Sequence, residues 1–173
     1  MIQSIQAKFK PTPADYVKAT LAFYFTQRSI LLLVAVSVVF VLLAVPYSLI
    51  QWANGSNIAI FILAIALGFL LIAAATVATP LMRVRKMVDH DETMRAETVW
   101  SIKNDRIELR NHFEKTELAW EMFDRLIDTR QYFLLVYAAN KRQFTFLPKQ
   151  AFSNKNESDR FVVLAHANIA NRR

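Results

Sequence analysis

The sequence predicts a two-helix transmembrane hairpin joined to an α+β cytoplasmic domain, a small antiparallel β roll or barrel closed by a C-terminal helix. Three observations predict it. From Ser29 to Met82 there are 54 consecutive residues without Asp, Glu, Lys or Arg. Residues 83–173 carry 17 Lys and Arg against 13 Asp and Glu, the mixture of a soluble domain. Within that part apolar residues alternate up to Pro148 and then recur at helical spacing after Asn156.

A membrane-crossing helix needs about 20 mostly apolar residues. The charge-free tract is long enough for two, and Gln51-Trp52-Ala53-Asn54-Gly55-Ser56-Asn57 marks the turn between them. The spans fall at Ser29–Ile50 and Ile58–Leu81. Neither carries the polar stripe of a soluble core helix. A cleaved leader would begin earlier and have a shorter apolar core than this one, which stands behind 28 residues. Pro46 is expected within a turn of the first helix end, and Pro80 is expected to close the second. Lys8, Lys10, Lys18 and Arg28 precede the hairpin, Arg83, Arg85 and Lys86 follow it, and the loop is uncharged. Positive flanks stay cytoplasmic, so both termini are expected inside. Tyr24, Tyr47 and Trp52 stand where interfacial aromatics belong. Ala64, Gly68, Ala75 and Thr79 form a small-residue face suited to close helix packing, within the hairpin or between copies. No ionisable residue lies in either span, so the helices read as an anchor rather than a conducting path.

The remaining organisation follows from the same patterns. Residues 1–28 form a cytoplasmic N-terminal strand and juxtamembrane helix, 29–82 the hairpin, 83–93 a charged connector, and 94–173 the β domain. Ile2 to Phe9 alternates like a strand, which either joins the later sheet or stays a mobile tail. Asp15 to Gln27 places Tyr16, Ala19, Phe23 and Gln27 on one helical side. Strands are expected around Thr98–Ile102, Ile107–Leu109, Thr116–Trp120, Arg125–Thr129, Tyr132–Ala138 and Gln143–Leu147, with turns at Asn104-Asp105 and Asn140-Lys141. Tyr132–Tyr137 barely alternates and is expected to be central. Asn156 is expected to cap the last helix, with Phe161, Leu164, Ala165 and Ile169 facing the sheet and Arg172 and Arg173 past its end.

Thr12-Pro13-Ala14-Asp15-Tyr16 precedes the hairpin, Trp120 falls in the third strand of the β domain, and Phe146-Leu147-Pro148-Lys149-Gln150-Ala151-Phe152 precedes the final helix. This order resembles the YcxB-like family of bacterial membrane proteins over essentially the whole chain. The resemblance implies a pleckstrin-homology-like (PH-like) C-terminal domain on a two-helix anchor in the bacterial inner membrane, in a family with no established activity. It carries over no site residues.

Chemistry is sparse. Only two glycines, Gly55 and Gly68, exclude a glycine-rich phosphate loop, and the absence of Cys excludes disulfides and thiolate chemistry. Asp89-His90-Asp91-Glu92 is a juxtamembrane linker rather than a metal site, and His112 and His166 are ordinary surface or boundary residues. Glu114 with Glu117 and Asp124 with Asp128 have basic neighbours and read as charge patterning. No catalytic residue, metal or cofactor is expected. Arg83, Arg85 and Lys86 are expected to face an anionic leaflet. Arg130, Lys141, Arg142 and Lys149 are expected to cluster at strand ends, with Arg142, Lys149 and Phe152 as first candidates for contact with a protein or lipid. The net charge of +7 is divided among these patches, which argues against a nucleic-acid partner. The function expected is a non-enzymatic membrane protein presenting an interaction domain, with homo-oligomerisation open. The alternative is an accessory subunit of a transport or envelope system that uses its helices as the contact surface.

Overall fold

The computed structural model describes residues 4–170. Ile2, Arg172 and Arg173 lie outside the described residues. The chain divides into two units, one made of the residues up to Ala19 together with those from Arg85 onward, the other of Thr20–Val84.

Helix α1 (Pro13–Thr26) begins in the first unit and ends in the second, as α3 (Ile58–His90) does in reverse. Between them runs α2 (Arg28–Ala53). Asn54 and Gly55 make the expected turn, and Gly55 takes a φ of +75°, a conformation costly for any residue with a Cβ. The buried positions of the hairpin are small: Ser37, Ala44 and Ser48 on α2, and Ala59, Ala66 and Ala73 on α3. They lie symmetrically about the turn, as an antiparallel pair requires, and Phe40 meets Phe69 with ring centroids 5.2 Å apart. The hydroxyls of Ser37, Ser48 and Thr76 each donate to the carbonyl four residues earlier, so no backbone unit is sacrificed to satisfy them.

Both proline expectations need correction. Pro46 and Pro80 lie inside their helices, which continue to Ala53 and His90. A proline removes only one amide donor, and the Arg, Lys and Met residues after Pro80 are good helix formers that carry the helix on. Most of the segment expected as a connector is therefore helical. Only the stretch after His90, with a 3₁₀ turn at Thr93–Arg95, is irregular.

Among the described residues the β domain contains seven strands, not six, in two antiparallel sheets. The first sheet has the order β1-β2-β3-β4, built from Ile5–Phe9, Thr98–Ile102, Arg106–Arg110 and Lys115–Ala119. The second is β5-β6-β7, from Phe123–Asp128, Tyr132–Tyr137 and Phe144–Pro148. The extra strand is the N-terminal one. Its register with β2 runs from Ile5 opposite Ile102 to Phe9 opposite Thr98, which resolves the choice between strand and tail for Ile5–Phe9. Ala7 also bridges Phe152, past the end of β7, and the Phe9 ring lies 5.9 Å from that of Phe146 on β7, so β1 touches both sheets.

β6 is central and buried along almost its whole length, as its lack of alternation predicts. Pro148 is the last residue of β7, where its missing donor interrupts no further pairing. Trp120 is not in β4. It begins a 3₁₀ turn, buried, with its indole N–H donating to the Lys103 carbonyl at 3.0 Å. Helix α4 (Lys155–Ala170) starts one residue before Asn156. Its cap is Asn154, whose Oδ1 accepts from the Glu157 N–H at 2.9 Å. Phe161 and Ala165 enter the core among Trp120, Phe133, Leu135 and Phe152, with Leu164 and Ile169 packed beside them.

Candidate functional site

The first unit has three candidate regions: the basic residues, an apolar groove, and an aromatic cluster at the start of α1.

The basic residues do not form one patch. Arg130 and Lys149 stand at the end of the second sheet where β5 ends and β6 begins, whereas Lys141 and Arg142 occupy the β6–β7 turn at the opposite end. Five strand residues separate the two ends, on the order of 15 Å. Two of the four, Lys149 and Lys141, are also engaged. Lys149 pairs with Asp128 and lies 4.9 Å from the centre of the Phe133 ring. Lys141 pairs with Asp124 at 3.1 Å. Arg142 is exposed at the turn, where its N–H donates to Asn140 Oδ1. Phe152 does not serve as a surface contact: it is 8% exposed and packs on Phe133 and Phe161, with ring centroids 5.9 and 5.5 Å away. An aromatic next to a basic residue is ambiguous in sequence, and here the bridge to Ala7 turns it inward. Arg83, Arg85 and Lys86 are exposed on α3.

The carboxylate pairs are occupied as well. Glu117 accepts from Arg106 at 3.0 Å and Lys115 at 2.8 Å, and these two partners hold its carboxyl below the usual range. Asp124 pairs with Arg125 and Lys141. The Asp89–Glu92 run straddles the end of α3. Asp91 Oδ1 accepts from the Thr93 N–H at 2.9 Å, and His90 Nδ1 lies 2.8 Å from the Lys86 carbonyl. His112 and His166 are exposed. Among the described residues no group of three or more His, Asp or Glu could hold a metal ion.

A groove of about 660 Å³ opens between the β1–β2 end of the first sheet and α4. Ile5, Ile102, Val163 and Leu164 make its apolar lining, with Lys103 and Arg160 at its rim. Lys103 is paired with Glu108. Val163 is 69% exposed, unusual for a valine on a helix whose other face is core. The sequence signal for this groove was weak, because its lining comes from three separated segments.

The third region was missed in sequence. Thr12 and Asp15 cap α1 reciprocally: the Thr12 N–H and hydroxyl donate to Asp15 Oδ2 at 3.0 and 2.6 Å, and the Asp15 N–H donates to Thr12 Oγ1 at 3.2 Å. The other oxygen, Oδ1, accepts from the Tyr132 hydroxyl at 3.0 Å. Burial tends to raise the Asp15 carboxyl, but the bonds from Thr12 and Tyr132 and the charge of Lys18 hold it below its ordinary value. Tyr16 lies edge-on to Phe146 at 4.9 Å and donates to the Met94 carbonyl at 3.0 Å. Burial pushes both phenols up to about 12, helped at Tyr16 by the charge of Asp91 and at Tyr132 by the bond to Asp15. Both therefore remain donors at neutral pH. The Thr-x-x-Asp spacing is a capping signal that was available in the sequence; the distant Tyr132 partner was not.

Strands β3–β7 and most of α4 are the part of the chain that can be compared with known proteins. Residues 102–163 match the family model described as YcxB-like protein. The match thus runs from the last residue of β2 into α4. No curated protein and no solved structure matches the chain. The YcxB-like region includes the β5–β7 sheet and the α4 wall of the groove, while β1, α1 and both apolar helices lie outside it.

Proposed function

We propose that this chain is a non-enzymatic, two-span protein of the bacterial cytoplasmic membrane, with both termini in the cytoplasm, whose PH-like β domain recognises a protein partner. The observation that carries the anchor is the outward apolar surface of α2 and α3. Leu32, Leu43 and Phe61 are 67–70% exposed, and large apolar side chains occur all around both helices. In water such a surface would be an aggregation hazard; in hydrocarbon each Leu, Ile, Phe or Val contributes about −0.3 to −0.6 kcal/mol to insertion. The charge-free loop and basic flanks support the inside orientation. Reporter fusions at Asn54 and at the C-terminus test it. An external Asn54 and an internal C-terminus are expected, and an external C-terminus overturns the reading.

A protein is favoured over an anionic lipid because the cations around the second sheet are split between its two ends, with Lys141 and Lys149 each paired to an aspartate, whereas the groove beside Val163 is apolar and open. A photo-crosslinker at Val163 in native membranes should trap a protein species. Failure to trap one, together with binding of the protein to anionic but not neutral vesicles, would favour the lipid instead.

A second reading rests on α3. Ala64 and Ala75 are exposed and Gly68 is half-buried, whereas the hairpin uses Ala59, Ala66 and Ala73 for its own packing. That leaves the first set available to a further helix, from a second copy or a transport or envelope assembly. Replacing Ala64 and Gly68 by Leu should disperse such an assembly while leaving crosslinking at Val163 intact.

A further inference from the structure

The YcxB-like match begins at Ile102, but residues 102–163 do not complete the domain's core. Ile5 and Ala7 are buried members of that core, supplied from before the hairpin. Strand β1 pairs with β2 and bridges Phe152, and a few residues later Asp15 reaches Tyr132 on β6. Tyr16 then contacts Phe146 on β7 and the Met94 carbonyl just before β2. A single stretch of chain thus crosses from one sheet to the other.

We propose that residues 5–16 form a latch that closes the seam between β2 and β7 and opens as a unit, with the Asp15–Tyr132 hydrogen bond as its catch. Its attachments are fewer than those of β6. Ile5 and Ala7 are fully in the core, Phe9 packs beside them against Phe146, Pro11 is buried, Lys8 pairs with Glu97 at the surface, and β1 is paired along one edge except for the single Ala7 bridge. Pro11 lies between β1 and α1 and Pro13 begins α1, and neither has an amide hydrogen to extend the ladder. β6, by contrast, is buried along five residues and paired on both sides. Local opening draws on the least-attached elements, so the strap releases well before the second sheet. Release bares the β2 edge, a row of backbone donors and acceptors able to take another strand. The latch therefore controls whether the domain presents a strand-accepting edge.

Native-state hydrogen exchange on the full chain in detergent micelles tests this, comparing the parent protein with Tyr132→Phe and Asp15→Asn. Tyr132→Phe keeps the ring against Phe146 and leaves the Thr12–Asp15 cap intact, so it removes the catch alone. It should speed exchange of residues 5–9, and of those amides in 98–102 that face β1 rather than β3, about tenfold, with residues 132–137 unchanged. Asp15→Asn should do at least as much, and the double variant should not add the two effects. If residues 132–137 accelerate together with 5–9, the strap opens only when the whole domain unfolds, and the proposal is overturned. Unchanged exchange at 5–9 in Tyr132→Phe overturns it equally.

Discussion

The hairpin and the β domain use the same apolar residue types in opposite ways. On α2 and α3, Leu, Ile and Phe point outward while Ser37, Ser48 and three alanines are buried. In the β domain, Leu134, Leu135, Leu147 and Phe161 are fully enclosed and the charges are outside, most of them in surface ion pairs. The difference teaches that hydrophobicity alone does not decide burial. The β domain encloses its large apolar side chains, whereas the hairpin encloses small residues and turns the large apolar ones outward, the pattern on which the proposed membrane anchor rests.

That contrast can be broken from either side. The largest expected effect is Phe161→Ala. Removing a ring packed against Trp120, Phe133 and Phe152 should destabilise the β domain by about 3–5 kcal/mol, seen as an earlier denaturant midpoint, with the helical signal of the hairpin retained. Next comes Leu67→Lys, an exposed position near the middle of the apolar stretch Ile58–Leu81 of α3. In water this exchange would be nearly silent; in a bilayer it should raise the insertion free energy by about 3 kcal/mol, measured as loss of the membrane-integrated fraction. Asn154→Ala removes the α4 cap and should cost the β domain about 1 kcal/mol by the same denaturation assay. The smallest effect concerns acid. Asp15 titrates below its unfolded value of 3.8, so its contribution is complete above that pH and is lost as pH falls through the lower folded value. Asp15→Asn should flatten this acid limb of the stability profile, leaving the neutral region shifted only by the lost bond.

Much of this contrast was legible in the sequence. The strand positions, the Asn54-Gly55 turn, the central place of Tyr132–Tyr137 and the inward face of α4 all follow from period, turn chemistry and continuous apolar runs. What was not legible depended on partners distant in the chain. Phe152 is core because Ala7 bridges it, Trp120 leaves the strand to reach the Lys103 carbonyl, and Lys149 is engaged by Asp128 and Phe133. The prolines misled for a local reason: one missing donor does not end a helix when strong helix formers continue beyond it. The basic residues appeared to form a cluster because they stand near strand ends in sequence, but alternate turns of an antiparallel sheet lie at opposite ends.

The pairing of Ile5 with Ile102 also has a meaning for synthesis. Ile5 leaves the ribosome more than 90 residues ahead of its partner, a wait of roughly 5–20 s at ordinary translation speeds. Throughout that interval the first strand made has no second strand to meet, while both apolar helices are being produced. Lys8, Lys10, Pro11 and Pro13 suit that interval: charge and proline next to a short apolar segment keep it from pairing with neighbouring nascent chains. The domain's first-made strand is also among the last to find its place.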